Sequence, residues 1–272
     1  MSRTKKSVWM TPLTLLILLF HMIPVYITFI ASITKLGDLK SYWLPPKYFF
    51  IENYSTALTS GNLPAAFKNT ILITVISVFL IVLLGAFAAY PLARYESKLN
   101  SFVMFAIISL MMIPPLSLLV PLYKFMRTID GINTLWGIIL LHVAFQLPLS
   151  IFLFKNFIQT IPKELDEAAT LDGCNIFQVF YRIILPNIKP VIATIIILTG
   201  VNVWNDYQFS LYFLQSSELS VVTLSISSFF SQGDMNINVA AAAAMLAIIP
   251  VTIAFLFLQK YFIKGMVDSA IK

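Results

Sequence analysis

The sequence predicts an all-α polytopic membrane protein, with six membrane-spanning helices and a polar helix between the fourth and the fifth. Three observations carry this. Of 272 residues, 59% are hydrophobic and 11% charged, and the mean hydropathy is +0.87; a soluble domain carries about 25% charged residues. Six stretches are apolar over the roughly 20 residues that a span needs: 11–33, 70–92, 102–125, 135–157, 191–214 and 239–262. Between the last pair but one lies the long polar segment 161–190, which holds four of the chain's twelve acidic residues. Spans and loop read as one domain over residues 1–272.

The first apolar block follows Arg3, Lys5 and Lys6. It is too long for the core of a secretory signal and reads as an uncleaved first span. Lysine and arginine placement sets the topology. With the N-terminus inside, twelve of the eighteen basic residues fall on the inner side and six on the outer. Both termini and the 161–190 loop then lie in the cytoplasm. The outer loop after span one carries Trp43, Tyr48, Phe49, Phe50 and Tyr54 around Pro45-Pro46. Such rings suit the headgroup level; a docking surface for an external protein is the sharper alternative.

In span two, Gly85 and Ala89 stand four apart, where small residues let a neighbouring backbone approach closely. Span three contains Pro114, Pro115 and Pro121. Proline removes a backbone donor and kinks a helix. In a membrane the freed carbonyls must face protein or a watered cavity, which marks Pro114 and Pro115 as candidates for a translocation path. Span four carries His142 and Gln146, read as interhelical hydrogen-bonding groups. Span five holds Asn202, Asn205 and Asp206, the most polar intramembrane cluster. Two readings of Asp206 stand: a functional carboxylate in the path, or a hydrogen-bonded group shaping a helix break. The run of alanines at 240–244 in span six offers a smooth packing face.

The polar loop has internal order. Pro162 suits a first helical turn. Glu164, Asp166 and Glu167 follow at the positive end of the helix dipole, and Gly173 suits the left-handed position that stops a helix. A short helix over 163–172 is predicted, with Leu165, Ala168, Ala169 and Asp172 sharing a face. A second helix over 176–184 is predicted to present Phe177, Phe180 and Ile184 to the membrane base and to end at Pro186. An amphipathic elbow on the inner leaflet is the bland alternative. The acidic residues oppose it, because that leaflet is negative. A protein partner with a basic-rimmed groove fits better.

Catalytic signatures are missing from the sequence. It has no Gly-x-Ser-x-Gly turn, no His-Glu-x-x-His and no phosphate-cradling glycine loop followed by Lys-Ser/Thr. Asp206 has no second intramembrane aspartate, and no motif joins His21 or His142 to a serine. One cysteine, Cys174, and two histidines give neither a disulfide framework nor a metal cluster. The net charge of +6 reads as basic flanks of spans rather than a nucleic-acid surface. No catalytic role, bound cofactor or metal is expected, and transport or signalling remains.

Glu167-Ala168-Ala169, three residues, Gly173, nine residues, Ile183, one residue, Leu185-Pro186 form a continuous pattern. It resembles the cytoplasmic loop of permease subunits of binding-protein-dependent ABC importers. Asn53-Tyr54, Asn69-Thr70, the segment Ala88 to Arg94, Ile113-Pro114-Pro115, Trp204-Asn205-Asp206 and Tyr261 to Gly265 are similar to the carbohydrate branch, the maltose-transporter inner-permease type. That resemblance implies a bacterial inner-membrane subunit that imports a sugar or oligosaccharide. It implies a second homologous permease in a heterodimer, two ABC ATPases that hold the ATP-Mg, and an extracytoplasmic sugar-binding protein. It makes the 163–172 helix a coupling helix. Glu164, Glu167, Ala168, Ala169 and Asp172 would engage the ATPase, Gly173 would end the helix, and Leu185 and Pro186 would return the chain to the membrane. The tail after Lys264 would reach between the ATPases. Gly173→Asp is expected to abolish uptake. Permeases for amino acids or polyamines share the loop and are the nearer alternative; a secondary carrier, with two related halves, is the further one.

Overall fold

Every expected apolar stretch is largely helical, but the third turns sharply within its length and the fifth is interrupted after Trp204. The computed structural model describes residues 10–38, 41–231 and 236–270, with side chains over 11–38, 41–230 and 236–259. Arg3, Lys5, Lys6, Lys40, the side chains of the basic tail and residues 271–272 lie outside it. Among the described residues the elements are α1 (Met10–Ser32), α2 (Glu52–Ser60), α3 (Leu63–Arg94), α4 (Lys98–Met111), a 3₁₀ turn (Pro115–Leu118) and α5 (Leu119–Thr128). Then come α6 (Leu135–Ile158), α7 (Glu164–Leu171), α8 (Ile176–Val179), a π turn (Phe180–Ile184), α9 (Leu185–Asn187) and α10 (Lys189–Trp204). The chain finishes with α11 (Gln208–Phe213), a 3₁₀ turn (Ser217–Leu219), α12 (Val222–Ser231) and α13 (Ile237–Ala270).

Four helices are long and apolar enough to cross a membrane: α1, α3, α6 and the 237–259 part of α13. Two bent pairs raise the number to six, α4 with α5 and the 176–187 segment with α10. The third predicted span is thus two helices at 93°, broken where Pro114 cannot donate and Pro115 starts a new turn. The fifth predicted span ends ten residues early, at Trp204, and α11 follows as a separate short helix.

The chain forms two compact units. One comprises residues 1–64 and 225–249. Its polar staples are specific: the buried Asn53 amide donates to the Ser32 and Thr34 carbonyls, both at 2.9 Å, and satisfies the C-terminal end of α1. The Asn238 amide donates to the Ala31 carbonyl at 2.8 Å, and the Ser225 hydroxyl to the Gly61 carbonyl at 2.7 Å. Most of α1 is exposed within this chain.

The other unit comprises residues 65–224 and 250–272. Its core joins α3, α6, the π turn and α10 through Ile81, Ala89, Phe154, Ile158, Ile184 and Ile195. At Gly85 α3 and α6 approach closely: a Cβ there would collide with Ser150, whose hydroxyl donates to the Ile81 carbonyl at 3.2 Å. At the opposite end from the polar loop, the Asn69 amide donates to the Glu218 and Ser220 carbonyls, and Thr70 accepts from the Val222 N–H.

Candidate functional site: the polar-loop helix and its clamp

The stop of α7 follows the glycine. Gly173 has φ +83°, and the Cys174 N–H reaches the Ala169 carbonyl at 2.9 Å while the Gly173 N–H reaches Thr170 at 3.0 Å. These paired bonds are a Schellman ending. No atom lies within 4 Å of where a Gly173 Cβ would sit. The next helix then starts with a capping box between Asn175 and Gln178. At Leu185 the N–H bonds five residues back, to Phe180, and Pro186 has no N–H to offer. Pro186 therefore widens one turn and does not end the helix, which runs on to Asn187 before the chain bends by 74° into α10.

The acidic first turn divides into two roles. Asp166 points into the body of the unit. Arg94, the last residue of α3, donates from Nε to Asp166 Oδ2 at 2.8 Å and from Nη2 to Oδ1 at 3.1 Å. Its Nη1 donates to the Ile158 and Ile161 carbonyls at 3.1 and 2.9 Å. The Tyr90 hydroxyl, one turn earlier on α3, donates to Asp166 Oδ2 at 3.1 Å. The two charged side chains are 6% and 16% exposed. A bidentate guanidinium–carboxylate pair is both strong and geometrically strict. This one binds the end of α3, the end of α6 and the start of α7 into a single block. By contrast Lys163 and Glu96, 3.1 Å apart, are both largely exposed and hold little energy.

Glu164, Glu167, Ala168 and Asp172 are exposed, together with Leu171, which is 89% exposed. Ala169 is buried at 7% against the chain's own core. The expected face of Leu165, Ala168, Ala169 and Asp172 is therefore corrected: Ala169 turns inward with Asp166, three positions before it, and the other three stay outside. Phe177 is exposed, whereas Phe180 and Ile184 are buried, Phe180 stacking on Phe87 at 4.8 Å between ring centroids. Leu185 is half-buried and Pro186 exposed. The loop thus presents carboxylates around exposed Leu171 and Phe177. Neither the inward turn of Asp166 nor the exposure of Leu171 follows from the local pattern, because the partners of Asp166 are remote in sequence.

The intramembrane candidates sit at two separate breaks. Pro114 and Pro115 are exposed at the α4–α5 bend. The Asp206 carboxylate accepts from the Phe209 N–H at 3.2 Å, the Ser210 N–H at 2.9 Å and the Ser210 hydroxyl at 2.7 Å. It caps α11 and lies 3.8 Å from His142 Nε2. Asn202 is exposed and donates back to the Leu198 carbonyl, and Asn205 is exposed at the end of α10. Among the described residues no group of His, Cys, Asp and Glu could hold a metal.

Residues 81–268 match the family described as the binding-protein-dependent transport system inner membrane component. The chain belongs to this family. It is a non-catalytic, membrane-spanning permease subunit of an ABC importer. A melibiose/raffinose/stachyose import permease protein, MelC of Bacillus subtilis, is 41% identical over 100% of this chain and 99% of its own. A probable starch degradation products transport system permease, AmyC of Thermoanaerobacterium thermosulfurigenes, is 31% identical over 97% of this chain and 96% of its own. Among solved structures, a bacterial ABC transporter involved in the import of alginate has TM-score 0.79 at 23% identity, covering 96% of this chain and 99% of that one. A methionine ABC transporter has TM-score 0.60 at 19% identity, covering 74% and 94%. These two likenesses concern the fold alone.

Proposed function

We propose that this permease imports a sugar or oligosaccharide across a bacterial inner membrane, with α7 as its coupling helix. The single observation that carries the cargo class is the full-length 41% identity to a permease named for melibiose, raffinose and stachyose. The fold does not distinguish sugar from amino acid, since it is shared with a methionine transporter.

In this reading the chain pairs with a second, homologous permease. The two ABC ATPases dock on the α7 end, which faces the cytoplasm together with both termini, and a sugar-binding protein delivers cargo on the outside. ATP-Mg belongs to the ATPases. Glu164, Glu167, Ala168, Asp172 and Leu171 meet the ATPase surface, while Ala169 and Asp166 anchor the helix from within. When the ATPase pair closes, α7 moves, and the Arg94–Asp166 clamp passes that displacement to α3 and α6. A rigid link between a driven element and a bistable bundle is what alternating access needs. Asn202, Asn205, Pro114 and Pro115 remain the candidates for the path. Asp206 serves it by holding the α10–α11 break open.

The test is uptake by a strain lacking its own importers that expresses the complete transporter. Labelled α-galactosides should accumulate, and accumulation should stop when ATP is depleted but persist when the ion gradient is collapsed. Uptake of methionine or putrescine without any α-galactoside would overturn the cargo; dependence on the ion gradient would overturn the mechanism.

A further inference from the structure

Where α3 ends, α4 begins and α6 ends, a cavity of about 490 Å³ opens beside, but separate from, the clamp. Lys98 and Lys155 both line it, with Ser101, Asn100 and Gln159 supplying hydroxyl and amide groups. Neither lysine has an ion-pair partner among the described residues. Glu96 also lines the cavity and lies 3.1 Å from exposed Lys163. Lys98, Lys155 and Lys163 against Glu96 leave a net charge of +2 beside the end of α3, the start of α4 and the end of α6.

Its surroundings define what could fill it. Lys98 and Ser101 lie three apart on α4, and Lys155 in the last turn of α6 lies four before Gln159, which follows the helix end, so each helix turns one polar face to the cavity. One position further round α4, Leu99, Phe102 and Phe105 are exposed and form an apolar stripe leading away from the cavity. Ser97 caps the same helix, accepting from the Asn100 N–H at 3.0 Å, so the positive end of α4 also faces the region. A basic polar cup at the membrane surface, continuous with a bare apolar helix face, matches a molecule with an anionic head and a hydrocarbon tail.

We infer that the cavity lined by Lys98 and Lys155 binds the headgroup of an anionic phospholipid, whose acyl chain lies along the Leu99–Phe102–Phe105 stripe. Basic pockets between spans commonly hold such headgroups, and each lysine near an anionic surface is worth roughly a fivefold gain in binding. The lipid would brace the α3–α4 and α6 ends next to the clamp. The inference does not depend on the identity of the transported solute.

The experiment is native mass spectrometry of the intact transporter after exchange into bilayers of phosphatidylglycerol mixed with phosphatidylcholine. Wild type should retain phosphatidylglycerol in preference to phosphatidylcholine. The double variant Lys98→Gln/Lys155→Gln should lose that preference by about thirtyfold. Lys98→Arg/Lys155→Arg should keep it, and Lys124→Gln, a basic site elsewhere, should change it less than twofold. Equal retention of both lipids by wild type would overturn the inference. So would unchanged retention in the Gln double variant, and if that variant instead sheds the ATPase, the cavity belongs to a protein contact.

Discussion

Replacing Asp166 with asparagine keeps the size of the side chain but removes the charge that Arg94 grips. Arg94 is 6% exposed and would keep only its donations to the Ile158 and Ile161 carbonyls at full strength. Leaving one partner of a buried pair uncompensated costs about 3–5 kcal/mol. Asp166 is 16% exposed, and asparagine retains an acceptor oxygen, so about 2 kcal/mol is expected here. That is about a thirtyfold change in the equilibrium between seated and unseated α7. Hydrogen exchange at the α7 amides reads this equilibrium directly, because local opening is reported segment by segment. Protection should fall about thirtyfold in Asp166→Asn while α3 and α6 away from the clamp stay unchanged. Uptake should fall further than ATP hydrolysis, since an unseated helix transmits less of each closure. Glu164→Gln, exposed on the outer face, should leave α7 protection within twofold. Protection and uptake within twofold of wild type in Asp166→Asn would refute the clamp as a mechanical link.

Three other outcomes are expected. Because a Gly173 side chain would meet nothing within 4 Å, only its φ of +83° penalises substitution; Gly173→Asn should lose about 1 kcal/mol or less and keep uptake, the open space revises the expectation for Gly173→Asp from abolished to reduced uptake, and Gly173→Val should lose uptake, all read by transport assays at matched expression. Gly85→Ala should destabilise the purified complex by about 1–3 kcal/mol in thermal melts, and Ser150→Gly in the same chain should recover much of the loss, since Ser150 is what the new methyl strikes. Asp206→Asn, which can still cap α11, should retain uptake within threefold, whereas Asp206→Ala should cost about 1–2 kcal/mol in stability; loss of uptake in a stable Asp206→Asn protein would instead place the carboxylate's charge in the path.

The apolar stretches and the punctuation of the polar loop were legible because each depends on neighbours in sequence. Pro162 before α7, Gly173 after it and the close approach at Gly85 follow from local backbone chemistry. The kink of span three was legible in Pro114 and Pro115, and the break after Trp204 was one of the two readings of Asp206; the 93° angle of the first did not show, since an apolar run reads alike however far it turns. The interior of the loop helix was also hidden. An eight-residue helix with acids on both sides has no clear apolar stripe, so nothing local says that Asp166 and Ala169 face inward. Arg94 lies 72 residues from Asp166, and only the fold brings the pair together. The lysine cavity was hidden for the same reason, as Lys98 on α4 and Lys155 on α6 are brought together only by the fold.

The wide turn at Phe180–Ile184 has a consequence for how the loop is aimed. One extra residue in a helical turn shifts the angular phase of everything before it by about 100° relative to everything after. Upstream of the turn Phe177 points outward, while Phe180 and Ile184 stay locked in the core. The turn therefore works as a phase shifter between the exposed side of the loop and the side that packs in the core. Deleting one residue within 180–184 would swing the loop's outward side chains by about a quarter-turn while leaving α10 seated. The angular setting of the loop against α10 is thus held at two places, the wide turn and the Arg94–Asp166 clamp, and such a deletion sets one against the other.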